Sequence, residues 1–159
     1  MNSSTELQEA IAALLEAPGA LPIAAPVVRR KEKDVTNDME AGLAVQGGIC
    51  VFAMRPLPTS ALEGVPFVFF DGYEVRVRII EIPSVNRSGA DAYELIDAIS
   101  LALHWQNPGG MLAQPLMLAR RPAEMVEGSA SAPGFEHDGK FLRIADVIFN
   151  AVLQINPTL

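Results

Sequence analysis

The chain has little of what most catalytic and binding chemistry is built from. It holds one cysteine, Cys50, which rules out an internal disulfide framework. Its two histidines, His104 and His137, stand far from that cysteine and show no zinc-ligand spacing. Aromatic residues make up 6% of the chain and are not interleaved with basic ones, which argues against a stacking platform for single-stranded nucleic acid. There is no GxGxxG, no Walker-type lysine loop and no GxSxG; Gly47-Gly48 and Gly109-Gly110 read as turns. No apolar run reaches the roughly 18 to 20 residues that a membrane helix needs. The start, Met1-Asn-Ser-Ser-Thr-Glu-Leu7, lacks the basic opening of a secretory leader, which predicts a cytoplasmic protein. Basic residues are in deficit, 12 against 19 acidic, for a net charge of −7. That balance disfavours a dedicated nucleic-acid binder, because phosphate attraction supplies most non-specific affinity. It leaves room for a pore through which DNA slides, where weak attraction is useful.

What is present is apolar. Half of the 159 residues are hydrophobic and 19% are charged, the signature of a globular chain long enough to bury a core as one domain. Mean hydropathy is +0.24, a surplus that predicts a large core or a subunit interface. The organising stretch is Val65 to Trp105. Two apolar runs flank Asp71-Gly72, a short-range hairpin signal. Beyond it Tyr73, Val75, Val77 and Ile79 alternate with Glu74, Arg76 and Arg78, the period of a strand with one buried and one wet face. Pro83 stops that strand. A helix follows, with Ala92, Leu95, Ile96, Ile99, Ala102 and Leu103 on one stripe and Ser88 or Asp91 as its cap.

Around this stretch the chain reads as follows. Ser3 and Glu6 form a capping-box pattern before a helix over 4–17, which Pro18-Gly19 stops. The Pro-rich segment 18–28 is extended or irregular. The run Arg29-Arg-Lys-Glu-Lys33 is a solvated loop or helix edge, or else meets an acidic partner. Residues 34–46 predict a second helix despite Gly42, and Ile49 to Met54 a first strand. Residues 55–64, with two prolines, read as a connecting loop. Asn107-Pro-Gly-Gly110 ends the later helix, and Leu112 to Arg120 returns as a strand that Pro115 places at an edge or bulge. Glu124 to Gly139 (124–139), rich in Gly, Ser, Ala and Pro, reads as a mobile loop. Phe141 to Ile155 is a β-like run, covered on both faces or bent midway. The sum is a single α+β domain over 1–159: a mostly antiparallel sheet of four or five strands with helices mainly on one face.

Nucleophilic catalysis needs a nucleophile beside a base. Cys50 lies inside a predicted strand and reads as core. His104 reads as a helix-end histidine favoured by the C-terminal dipole, and His137, between Glu136 and Asp138, as a solvated turn residue. The residues therefore predict no catalytic site, no metal site and no cofactor.

One pattern is more specific. Glu81-Ile-Pro-Ser-Val-Asn-Arg87 closes a strand and precedes a helix ending Leu103-His-Trp105. Before it stand Asp34-Val-Thr-Asn-Asp-Met-Glu-Ala-Gly-Leu43, Gly48 and the strand Ile49-Cys-Val-Phe-Ala-Met54. This order resembles the small tail terminator, or tail completion, proteins of long-tailed bacteriophages, which often carry a comparable turn between a strand and the long helix. The likeness spans about residues 34 to 155, and the Pro-rich stretch at 18–26 has no counterpart in it. It implies a virion structural protein. Such proteins form a ring, commonly of six subunits, on the tail tube, stop its growth and meet the head connector, while DNA passes through without specific binding. The expected locations are the host cytoplasm during assembly and the virion tail afterwards. In the strand–helix turn of Glu81, Pro83, Asn86 and Arg87, Pro83 is expected to fix the chain, Asn86 to bond nearby backbone and Arg87 to pair with a carboxylate. Glu74, Arg76 and Arg78 are expected on an assembly or lumen surface. The competing readings are an intracellular, non-enzymatic adaptor or oligomeric binding module, and an enzyme with an unrecognised site around His104, Cys50 or His137.

Overall fold

A computed structural model describes residues 3–23, 27–30, 48–59, 70–120, 126–129 and 141–154. Helix α1 (Ser4–Glu16) starts where the sequence says it should: Glu6 N donates to Ser3 Oγ at 3.2 Å and Ser3 N to Glu6 Oε2 at 3.1 Å, closing the capping box. Helix α2 (Ala92–Leu103) is capped by Asp91, whose Oδ1 accepts from Glu94 N at 2.9 Å. Between and after the helices run β1 (Val28–Arg30), β2 (Ile49–Met54), β3 (Leu57–Pro58), β4 (Phe70–Glu81), β5 (Met117–Arg120), β6 (Val126–Ser129) and β7 (Phe141–Gln154).

These strands form one sheet in the order β1-β2-β4-β7-β5, with β3 beside β4 and β6 beside β7. Only β1 against β2 is parallel. The fold is therefore α+β and mostly antiparallel. Five strands make its main path, and two short segments extend it. Its centre is the β4–β7 pair, in register from Phe70 opposite Gln154 to Glu81 opposite Arg143.

Both described helices lie on the same sheet face. Leu7, Ile11 and Leu15 of α1 and Leu95, Ile99 and Leu103 of α2 pack on Val51, Val75, Val77, Ile79, Val147 and Phe149. Buried Gln8 fastens α1 to the sheet by donating from Nε2 to Ala53 O at 2.8 Å. The opposite face carries a second buried cluster of Cys50, Phe52, Met54, Ile80, Ile82 and Leu142. Strand β2 is buried on both sides, which accounts for its unbroken apolar sequence.

Several sequence expectations change. Asp71-Gly72 is not a turn: both residues continue β4 opposite Leu153 and Val152. The 14-residue β7 offers ladder bonds along this whole length, and that continuous pairing overrides a two-residue signal. Part of the 55–64 loop, Leu57–Pro58, pairs with β4 on the side that β2 occupies. Within 124–139, Val126–Ser129 is a strand on β7, so that part is not a loop. The return expected over 112–120 is a strand only from Met117, with Leu112 making a single bridge to Leu153 and a bulge between Leu118 and Arg120. The expected helix over 34–46, the rest of 124–139 and His137 lie outside the described residues.

Arg29 is also not a loop residue. It sits in β1, and its guanidinium bridges Glu9 (3.1 Å) and Glu16, both on α1, while Nη1 donates to Val27 O at 2.7 Å. The hydrogen bond from Arg29 holds the Glu16 carboxyl below its ordinary value of 4.5, against the opposing push of partial burial. A carboxyl depressed on folding stabilises the fold above its unfolded value and loses that contribution as pH falls through the folded one. Acidification below about pH 4.5 should thus destabilise the wild type relative to Glu16→Gln, the gap at neutral pH staying under about 1 kcal/mol for so exposed a pair. Urea midpoints measured across pH 3 to 7, roughly the range over which a carboxyl titrates, check this. A gap that does not change with pH would refute it.

Candidate functional site

Three regions bear on function: the turn after β4, the sheet face away from the helices, and the outer side of α2. The turn is the most densely bonded. Pro83 removes a ladder donor and ends β4. Val85 N and Asn86 N both donate to Ile82 O at 3.0 Å, and Ile82 N donates to Gly48 O at 2.8 Å. Asn86 Nδ2 donates to Glu81 Oε2 and to Ala90 O, each at 2.7 Å, while its Oδ1 accepts from Ser88 N at 2.9 Å. Its side chain therefore bonds nearby backbone, and holds a buried carboxylate as well: Glu81 is 2% exposed.

Charge compensation for Glu81 comes from Arg143 on β7, whose Nη1 lies 3.5 Å from Oε1. The Arg143 guanidinium sits 5.9 Å from the Tyr93 ring and 5.8 Å from the Phe141 ring. Arg87 is exposed and makes no ion pair among the described residues, and it is not the partner of Glu81. Arg143 takes that place because it stands directly opposite Glu81 across the β4–β7 ladder. Gly48, at φ +98°, fits against the turn so closely that a Cβ would lie 2.8 Å from Val85 C and O and 2.9 Å from Asn86 N.

On the sheet face away from the helices, Glu74, Arg76 and Arg78 share one side of β4, as the alternation predicts. They are not free surface charges. Arg78 Nε and Nη2 reach the two Asp146 oxygens at 2.8 and 3.1 Å, Arg76 Nη1 reaches Asp146 Oδ2 at 3.2 Å, and Arg76 Nη2 reaches Glu74 Oε1 at 2.7 Å. The hydrogen bonds it donates to Asp146 raise the Arg78 pKa despite burial. The four side chains are 15 to 33% exposed and their charges cancel. Reversing both arginines would crowd four carboxylates together and perturb stability before assembly. Asp146 was visible in the sequence only as a polar break in an apolar run; nothing local says which arginine it faces.

The outer side of α2 is apolar where water should favour polar groups. Tyr93, Leu101 and Trp105 are 58%, 82% and 60% exposed, at intervals of eight and four residues along the helix and its continuation. Leu101 separates two grooves. One, of about 840 Å³, is lined by Leu14, Leu21, Ala98 and Ala102; the other, of about 540 Å³, by Asp97, Ser100, His104 and Leu118.

His104 is the C-cap of α2, yet its task is different from that of a dipole-favoured cation. Its Nδ1 accepts from Leu118 N on β5 at 3.1 Å, with the ring edge-on to Trp105. Trp105 N donates to Leu116 O at 2.9 Å and Leu116 N to Gln106 O at 2.8 Å. Residues 104–106 thus cover the outer edge of the sheet around Leu116 and Leu118. Trp105 adopts φ +66°, a conformation costly outside glycine, to do so.

Among the described residues, no group of three or more His, Cys, Asp or Glu side chains is placed to hold a metal ion. No described helix is long and apolar enough to cross a membrane. Cys50 is fully buried in the second cluster. No family model matches the chain, and no curated protein matches it.

Proposed function

We propose that this protein is a non-catalytic assembly subunit of the phage tail-terminator kind, acting as a ring, of six copies by the resemblance, that ends a tail tube and meets the head connector. The observation that carries the reading is the row of exposed apolar side chains, Tyr93, Leu101 and Trp105, on a domain whose core is otherwise filled. Large apolar side chains left exposed along one helix face point to a contact with another macromolecule. The bonded turn from Glu81 to Arg87 supports it too, since the resemblance rests on this turn and its geometry is that of a rigid joint between strand and helix. The cancelled charges of Glu74, Arg76, Arg78 and Asp146 suit a lumen wall, because a neutral ladder neither traps nor repels passing phosphates. In this reading the protein takes no metal and no cofactor.

The test is removal of the gene from its phage or prophage, followed by electron microscopy of the lysate. Filled heads without attached tails, and tails of uncontrolled length, are expected. Normal virions with tails of normal length would overturn the reading in favour of an intracellular adaptor.

A further inference from the structure

Strand β5 ends the main path of the sheet, with β7 on its inner side. On its outer side, among the described residues, the chain leaving α2 takes the place of a further strand. Two of the bonds that hold it there are backbone to backbone, from Trp105 N to Leu116 O and from Leu116 N to Gln106 O. The third is different in kind: Leu118 N donates to a side chain, at His104 Nδ1, over 3.1 Å. A ring nitrogen accepts only while it carries no proton, so this bond requires a neutral imidazole with its hydrogen on Nε2. Of the three bonds, it alone can be removed by a change of pH. The ring is half-buried and lines an open groove, so protons from solvent reach it. Among the described residues, the charged group that α2 places on that groove is Asp97. Strand β5 adds Arg120 at its end, and the β7 residues opposite it, Ile148, Phe149 and Asn150, are uncharged.

We infer that His104 is a pH-sensitive latch on this sheet edge: neutral, it holds residues 104–106 over β5, and when Nδ1 takes a proton from solvent the bond to Leu118 is lost and the cover lifts. The charged ring turns an N–H toward the Leu118 N–H. Two donors cannot share one bond, so the ring must swing away and leave the Leu118 amide without its acceptor. The neighbouring backbone favours release. Trp105 is held at φ +66°, a conformation that side chains other than glycine adopt only at a cost. Its edge-on contact with the His104 ring, centroids 5.3 Å apart, is disturbed when that ring moves. An imidazole changes charge between about pH 5 and pH 8, so the edge is covered at the upper end of that range and open at the lower. What opens is strand backbone, the part of a sheet that folded proteins keep covered.

The test is amide hydrogen exchange followed by NMR on the whole chain, each rate compared with that of an unstructured chain at the same pH, while the His104 ring signals report its titration. Protection of the Leu118, Leu116 and Trp105 amides should fall together by at least about tenfold as His104 becomes charged, while the amides of β4 and β7 keep theirs. His104→Asn places an amide oxygen near the position of Nδ1 and does not titrate, so it should hold protection level over the same range. His137→Gln removes the other imidazole of the chain and should leave the effect unchanged. The inference is overturned if protection at Leu118 does not follow the His104 titration, or if His104→Asn loses it with acid as the wild type does. It is also overturned if β4 and β7 lose protection in step, since the whole fold would then be opening. The first and last of these readings need no variant.

Discussion

Gly48→Ala should cost this protein about 3 kcal/mol or more, although it adds one methyl group. Part of that is conformational: at φ +98° a residue with a Cβ is strained by about 1 kcal/mol relative to glycine. The larger part is steric. The new methyl would sit 2.8 Å from the carbonyl carbon and oxygen of Val85 and 2.9 Å from Asn86 N, and these are backbone atoms that cannot swing aside. Either β2 or the turn must retreat, and the bond from Ile82 N to Gly48 O at 2.8 Å joins the two. Gly89→Ala is the control. Gly89 has φ +84°, but nothing lies within 4 Å of where its methyl would stand, so it should show the conformational cost alone. Urea denaturation of both variants separates the terms. Equal losses would mean that Gly48 does not lock the turn.

Asn86→Asp should be comparably severe, at about 3 to 5 kcal/mol near neutral pH, with almost no change in shape. Asn86 Nδ2 now donates to Glu81 Oε2 and to Ala90 O, each at 2.7 Å. An aspartate replaces that donor with an acceptor and sets two carboxylates against each other where Glu81 is 2% exposed. Two carboxyls sharing a site cannot both ionise cheaply, so the pKa of one must rise. A folded-state pKa raised above its unfolded value stabilises at low pH and costs stability as pH climbs. The deficit of Asn86→Asp should therefore shrink on acidification, because the carboxyl pair at 81 and 86 costs less stability as pH falls, whereas the Glu16 carboxyl contributes less. Adding Glu81→Gln restores a donor facing the new acceptor and should recover part of the loss. A deficit independent of pH would show that the contact between residues 81 and 86 is not electrostatic.

Where the determinants were local, the sequence was readable. The capping box fixed the start of α1, the 3.6-residue apolar spacing fixed α2, and period-2 alternation fixed the faces of β4. Where a distant strand decided the outcome, it was not. Asp71-Gly72 has every local mark of a turn and is extended only because β7 lies beside it. Val126–Ser129 has the composition of a loop and is a strand for the same reason. The partners of Arg78 and Glu81, Asp146 and Arg143, are 68 and 62 residues away and become predictable only once the β4–β7 register is known. The role of His104 was hidden likewise, because its partner is a backbone N–H on β5.

The β4–β7 pair also bears on the protein's own making. Residues 70–81 emerge from the ribosome long before 141–154, and β5 and β6 precede β7 as well. Until β7 is released, β4 presents one full edge with no partner, and β5 and β6 have none at all. The sheet therefore closes late, around the last described strand to be synthesised. Such a non-local topology folds slowly and leaves a long apolar edge open to other chains meanwhile. Shortening β7 from its end would remove the middle of the sheet rather than its margin.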